Sequence, residues 1–131
     1  MSSNRHMALA TLVQGTGAHP ASWMQTGTAD DASTSIEHFI AMAQLAERGC
    51  FDIFFIADTP AARTDNLYAW KRFPMFMNVF EPITLLSALA VATRHIGLGA
   101  TASTSFMEPY NLARRFASLD HLSHGRAAWN V

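Results

Sequence analysis

The chain has 131 residues, half of them apolar and only 15% charged, with nine basic against ten acidic side chains and a formal charge of −1. This composition excludes a disordered tail, and the lack of a basic field excludes nucleic acid held by phosphate neutralisation. Glu47, Arg48, Asp52 and Asp58 interrupt the greasiest region, so no membrane span is expected, and a single cysteine, Cys50, points to a reduced, cytoplasmic setting.

Met7 to Gln14 reads as a first strand, ended by Gly15-Thr16-Gly17. Ala18 to Ser33 is polar and rich in small residues, a loop long enough to be a functional candidate. Ser35 to Arg48 is the clearest helix, because Ile36, Phe39, Ile40, Ala43 and Ala46 share one face at helical spacing. Thr34 and Glu37 predict a capping box at its start, and Gly49 predicts a left-handed residue at its end. Phe51 to Ala57 is almost wholly apolar, which fits a strand buried on both faces of a parallel sheet. Thr59 to Glu81 is irregular and holds Tyr68, Trp70, Phe73, Phe76 and Phe80, interleaved with Met75 and Met77. Such a cluster suits packing, a lid over an apolar substrate or a subunit contact.

Pro82 opens a second helix running to about Thr93, with Leu85, Leu86, Leu89 and Ala92 available for its buried face. Ile96 to Ser103 is a third strand. Pro109 opens a third helix carrying Leu112, Phe116, Leu119 and Leu122, and Gly125 stops it. Arg126 to Val131 begins a fourth strand. The order β-α-β-α-β-α-β predicts a parallel sheet with right-handed crossovers. Val131 falls inside an apolar strand, whereas a parallel barrel takes eight strand–helix units over about 250 residues. Residues 1–131 are therefore expected to be a single partial domain, the N-terminal half of a (β/α)8 TIM barrel. The competing expectation is a small, open, doubly wound sheet.

Parallel α/β folds bind ligands at the C-terminal ends of their strands. The residues to weigh are Gly15, Gly17 and His19 after strand one, Asp58 and Thr59 after strand two, Thr101, Ser103 and Thr104 on strand three, and Asn130 on strand four. Asp58 is the sharpest, since an acid at the mouth accepts hydrogen bonds from a ligand or fixes a neighbour; a local turn or cap role is equally open. On strand three Gly97, Gly99, Thr101 and Ser103 share one face, and Ile96, Leu98, Ala100 and Ala102 the other. The second set suits packing under helices. The first either leaves an open space for a flat ring, with two hydroxyls at its rim, or accommodates bulky Phe54 and Ile56 from the neighbouring strand. His121 and His124 have no third ligand beside them and read as surface or helix-dipole residues, so no metal site is expected. Arg114, Arg115 and Arg126 are expected to form ion pairs or to cover helix ends.

Four segments stand in a recognisable order: Gly17-Ala-His-Pro-Ala-Ser-Trp23, Glu47-Arg-Gly-Cys-Phe-Asp-Ile-Phe-Phe-Ile-Ala-Asp58, Thr101-Ala-Ser-Thr-Ser-Phe-Met-Glu-Pro-Tyr110, and the long stretch from Ala113 to Val131. Together they resemble the bacterial luciferase-like flavin monooxygenases, in particular the branch of nitrilotriacetate monooxygenase component A and dibenzothiophene-sulfone monooxygenase. The resemblance implies a TIM barrel that binds reduced FMN (FMNH2) noncovalently, supplied by a separate NAD(P)H:flavin reductase. It further implies molecular oxygen as co-substrate, a flavin peroxide that oxygenates a small organic substrate, and a homo-oligomer at full length. By the same resemblance Asp58 and Thr101 match positions that hold FMN, and Ser103 and Asn130 lie beside that pocket. His19 and Trp23 match the Gly-His-Pro segment at the pocket mouth, on the substrate side. No catalytic residue is assigned. The family's other flavin contacts fall beyond residue 131, so the chain alone is expected to be inactive. Two alternatives stand beside this reading: a deazaflavin-dependent oxidoreductase of the same barrel superfamily, and a non-catalytic half-barrel.

Overall fold

The computed structural model describes residues 6–61, 66–68 and 78–131. Trp70, Phe73, Met75, Phe76 and Met77 of the aromatic cluster lie outside the described residues. Four strands, β1 (Ala10–Leu12), β2 (Ile53–Ile56), β3 (Gly97–Thr101) and β4 (Ala127–Asn130), alternate with α1 (Ile36–Arg48), α2 (Pro82–Ala92) and α3 (Pro109–Ser123). All pairings are parallel, and the order across the sheet is β1-β2-β3-β4. Right-handed crossovers in that order place every helix on one face; α1 packs on α2, and α2 on α3. A doubly wound sheet reverses its strand order to cover both faces. This sheet does not, so it is the arc of a barrel wall. Among the described residues no helix is long and apolar enough to cross a membrane.

Strand register assigns the faces. Phe54 pairs with Leu98, and Ile56 with Ala100; these four are buried beneath the helices with Phe39 and Ala43 of α1, Leu85, Leu86 and Leu89 of α2, and Leu112 and Leu119 of α3. The opposite, inner face carries Leu12 and Phe55 in register, then Phe55 and Gly99, Gly99 and Ala128, and Thr101 and Asn130. Trp129 has the helix-side parity and stacks on Phe116 of α3 at 5.3 Å between centroids.

The small residues of β3 are covered by neighbours other than those expected. Phe54 and Ile56 point to the helices, and Ile53 and Phe55 lie across the inner face. A Cβ on Gly99 would meet Phe55 Cδ2 at 3.0 Å and Ile53 Cγ2 at 3.1 Å. The open space expected along this face is therefore filled by Phe55 and Ile53 as far as Gly99. Gly99→Ala should cost about 1 kcal/mol through this overpacking, read as a lower urea midpoint with an unchanged slope.

Two helix caps sit one residue away from the expected positions. Ser35, not Thr34, caps α1: its Oγ accepts from the His38 N–H at 3.2 Å. Thr34 is drawn into a turn instead, its hydroxyl donating to the Asp31 carbonyl. At the other end Gly49 keeps φ −76° and Cys50 takes the left-handed conformation at φ +58°. The Phe51 N–H reaches the Ala46 carbonyl and the Cys50 N–H that of Glu47, the paired bonds of a Schellman ending. Because a Cβ in that conformation is strained, Cys50→Gly is expected to stabilise the chain by about 1 kcal/mol, seen as a raised midpoint in the same urea titration. The N-terminus of α2 is closed by Glu81, whose carboxylate accepts from the N–H groups of Ile83 and Thr84 at 3.1 and 2.7 Å.

Candidate functional site at the strand ends

Thr101 and Asn130 are adjacent in register on β3 and β4, and the Asn130 side-chain amide donates to Thr101 Oγ1 at 3.1 Å. Their side chains share the inner face, one step along the strands beyond the Gly99–Ala128 pair on that face. Thr101 is half-buried and Asn130 exposed. Two residues on, Ser103 Oγ accepts from the Ser105 N–H at 3.2 Å. These three positions form the C-terminal rim of the sheet, over a floor packed by Phe55 and Ile53.

Asp58 is not gathered with them. It is half-buried and borders a separate cleft of about 170 Å³ at the C-terminal tips of β1 and β2. Val13, Ile56, Phe39, Phe80 and Leu85 make its apolar wall, and Gln14 lies with Asp58 at its polar edge. Phe80, from the aromatic cluster, sets its ring edge-on to Phe39 with centroids 6.0 Å apart. The cleft lies between sheet and helices, whereas Thr101 and Asn130 face the inner side. Gln14 is no site candidate by sequence reasoning, and Phe80 enters it only within the aromatic cluster, as packing, a lid or a subunit contact. The available signal is Gln14 itself, the one polar side chain at the tip of the first apolar run.

The loop after β1 is ordered by its own hydrogen bonds. His19 Nδ1 accepts from the Ala21 N–H at 3.1 Å, and Ser22 begins a single 3-10 turn, Ser22–Met24. Trp23 in that turn is 43% exposed. His19 and Trp23 both lie in this loop, and His19 spends one ring nitrogen on the turn itself.

The opposite, N-terminal end of the sheet is built for stability. Arg126 caps the end of α2, with its guanidinium on the carbonyls of Ala90, Thr93 and Ile96 and on Thr93 Oγ1. Glu47 Oε1 accepts from three successive backbone N–H groups, Arg94, His95 and Ile96. Burial raises the Glu47 pKa, but these donors, with the nearby His95 charge, outweigh it and hold the carboxyl below its ordinary value. Covering a helix end is thus the role of Arg126. Arg114 and Arg115 do neither of the two things expected of them. They line an open groove of about 560 Å³ on the outer side of α2 and α3, and make no ion pair among the described residues.

Residues 15–131 match the family pattern described as luciferase-like monooxygenase. The chain is 47% identical over 99% of its length to N-acetyl-S-(2-succino)cysteine monooxygenase of Bacillus subtilis (strain 168). It is 40% identical over its whole length to nitrilotriacetate monooxygenase component A of Aminobacter aminovorans. It spans only 28% and 30% of those two proteins. Among solved structures, EDTA monooxygenase from Chelativorans sp. BNC1 superposes with a TM-score of 0.82 at 36% identity, covering 96% of this chain and 29% of the other. Riboflavin lyase, with modified FMN and riboflavin, does so with a TM-score of 0.77 at 30% identity, covering 95% and 28%.

Proposed function

The chain belongs to the luciferase-like monooxygenases, and from that premise we propose that it supplies one wall of the FMN site of a two-component, FMNH2-dependent monooxygenase. The observation that carries the reading is the Thr101–Asn130 pair. It puts a hydroxyl and a carboxamide at the ligand-binding end of a parallel sheet, one step beyond Gly99, which Phe55 and Ile53 cover. The donor set fits a flavin, whose ring edge carries carbonyl and imine acceptors. Bound there in reduced form, the flavin would supply the activation of molecular oxygen. The chain's own part is to hold and orient the ring with Thr101, Ser103 and Asn130, and to keep water from its lower face with Phe55 and Ile53.

Asp58 belongs to this proposal as a second anchor at the neighbouring cleft, and His19 and Trp23 as the substrate-side loop. The reducing partner is an NAD(P)H:flavin reductase, the substrate is a small organic molecule, and the assembly is a homo-oligomer at full length. Residues 1–131 are one partial domain of that enzyme, so the chain alone should bind FMN weakly or not at all and turn nothing over. The deciding assay follows oxygen uptake by a full-length version with FMN, NADH and a flavin reductase. Uptake that needs all three supports the reading. Hydride transfer to or from a deazaflavin without oxygen uptake would replace it with the deazaflavin alternative.

A further inference from the structure

We infer that Asn130 is a positioning residue that fixes the polarity of Thr101, making the Thr101 hydroxyl a hydrogen-bond donor towards the inner face. A hydroxyl has one proton and two acceptor sites. Asn130 Nδ2 occupies an acceptor site of Thr101 Oγ1, and among the described residues the hydroxyl donates to no protein acceptor. Its proton is left for a ligand. Ser103 repeats the pattern independently: its Oγ accepts from the Ser105 N–H, which also leaves a proton to give. The β3 rim thus presents donors, so the group it receives is an acceptor such as a ring carbonyl or imine nitrogen. Asn130 also keeps its own carbonyl, an acceptor for a ring N–H beside that carbonyl. The identity of the ligand rests on the flavin reading above; the polarity of the pair does not.

The test uses the 131-residue chain, labelled with 15N, in two measurements. The first needs no ligand. Thr101→Val should shift the Asn130 side-chain NH2 resonances and speed their exchange with water, and Thr101→Ser should leave both near wild type. Resonances unchanged in Thr101→Val would overturn the inference. The second follows the same spectrum through an FMN titration, in which affinities even in the millimolar range are visible. Asn130→Ala should weaken FMN binding roughly 5- to 10-fold, about the worth of one neutral hydrogen bond. Asn130→Asp should weaken it as much as Thr101→Val, because a carboxylate only accepts and would take the hydroxyl proton; adding Asn130→Asp to Thr101→Val should cost little more. Wild-type affinity in Asn130→Asp would also overturn the inference. If FMN binds to none of the proteins while the ligand-free shifts appear as expected, the assigned polarity stands, and the flavin reading is decided by the oxygen-uptake assay on the full-length version.

Discussion

Replacing Arg126 with alanine is expected to lower the stability of the chain by about 3–4 kcal/mol, a large share of the roughly 5–15 kcal/mol that holds a domain folded. The guanidinium makes five hydrogen bonds: to Ser123 O, Thr93 Oγ1, Ile96 O, Ala90 O and Thr93 O. It joins the end of α2, the start of β3 and the end of α3. Hydrogen bonds from a charged donor contribute about 1.5–3 kcal/mol each in favourable cases. They are not additive here, and solvent can reach part of the group, which brings the sum down to the stated figure. Thr93 is itself 5% exposed, so its carbonyl and hydroxyl lose a partner that water cannot readily replace. Urea unfolding followed by circular dichroism gives the number directly. Arg126→Lys is the informative control: it keeps the charge but lacks the planar fork, and should recover less than half of the loss. Full recovery by lysine would reduce the role of Arg126 to simple charge at a helix end.

The second large effect is expected at Glu47. Glu47→Ala should cost about 2 kcal/mol, since it strips three backbone N–H groups of a charged acceptor and exchanges them for water. The same carboxylate makes stability depend on pH. Its folded pKa is depressed, so the unfolded chain binds the proton more readily than the native one. The contribution is therefore complete above the unfolded value of about 4.3 and is lost as pH falls through the lower folded value. Urea midpoints measured from neutral pH down to about pH 3.5 should fall less steeply in Glu47→Gln than in wild type. The introduced carboxamide would retain an acceptor oxygen without titrating, so the midpoint of this variant at neutral pH should lie between those of wild type and Glu47→Ala. A wild-type acid slope in Glu47→Gln would place the sensitivity in other carboxylates.

Both residues show where reading along the chain runs out. Arg126 is expected from sequence to pair or to cover a helix end, but four of its five hydrogen bonds reach 30–36 residues upstream. Glu47 looks like the polar side of an amphipathic helix, and its donors lie 47–49 residues downstream. Gln44, one turn earlier, reaches the Ala92 carbonyl of α2 in the same way. Local spacing says that such side chains share a face, but not which carbonyls or N–H groups a neighbouring segment brings to them. The shifted caps have a more local cause. Two hydroxyl residues, Thr34 and Ser35, compete for one position, and the turn from Asp31 decides between them.

The alternation of elements was legible in the chain alone, because periods of two and of three to four are written into the apolar residues and need no partner to be read. The sequence also placed Leu98, Ala100 and Ala102 beneath the helices and put Thr101 and Asn130 at the strand ends. Its resemblance to the luciferase-like monooxygenases was legible in four segments, and the comparisons confirm that family. The fold had to supply the rest: the choice of the expected barrel's sequential strand order over the reversed order of a doubly wound sheet, the cover of Gly99 by Phe55 and Ile53 rather than Phe54 and Ile56, and the place of Asp58 in a cleft between sheet and helices while Thr101 faces the other side. Register decides which face each of these side chains takes. A slip of one residue exchanges the two faces of a strand, and register is set jointly by all the strands and helices that pack together.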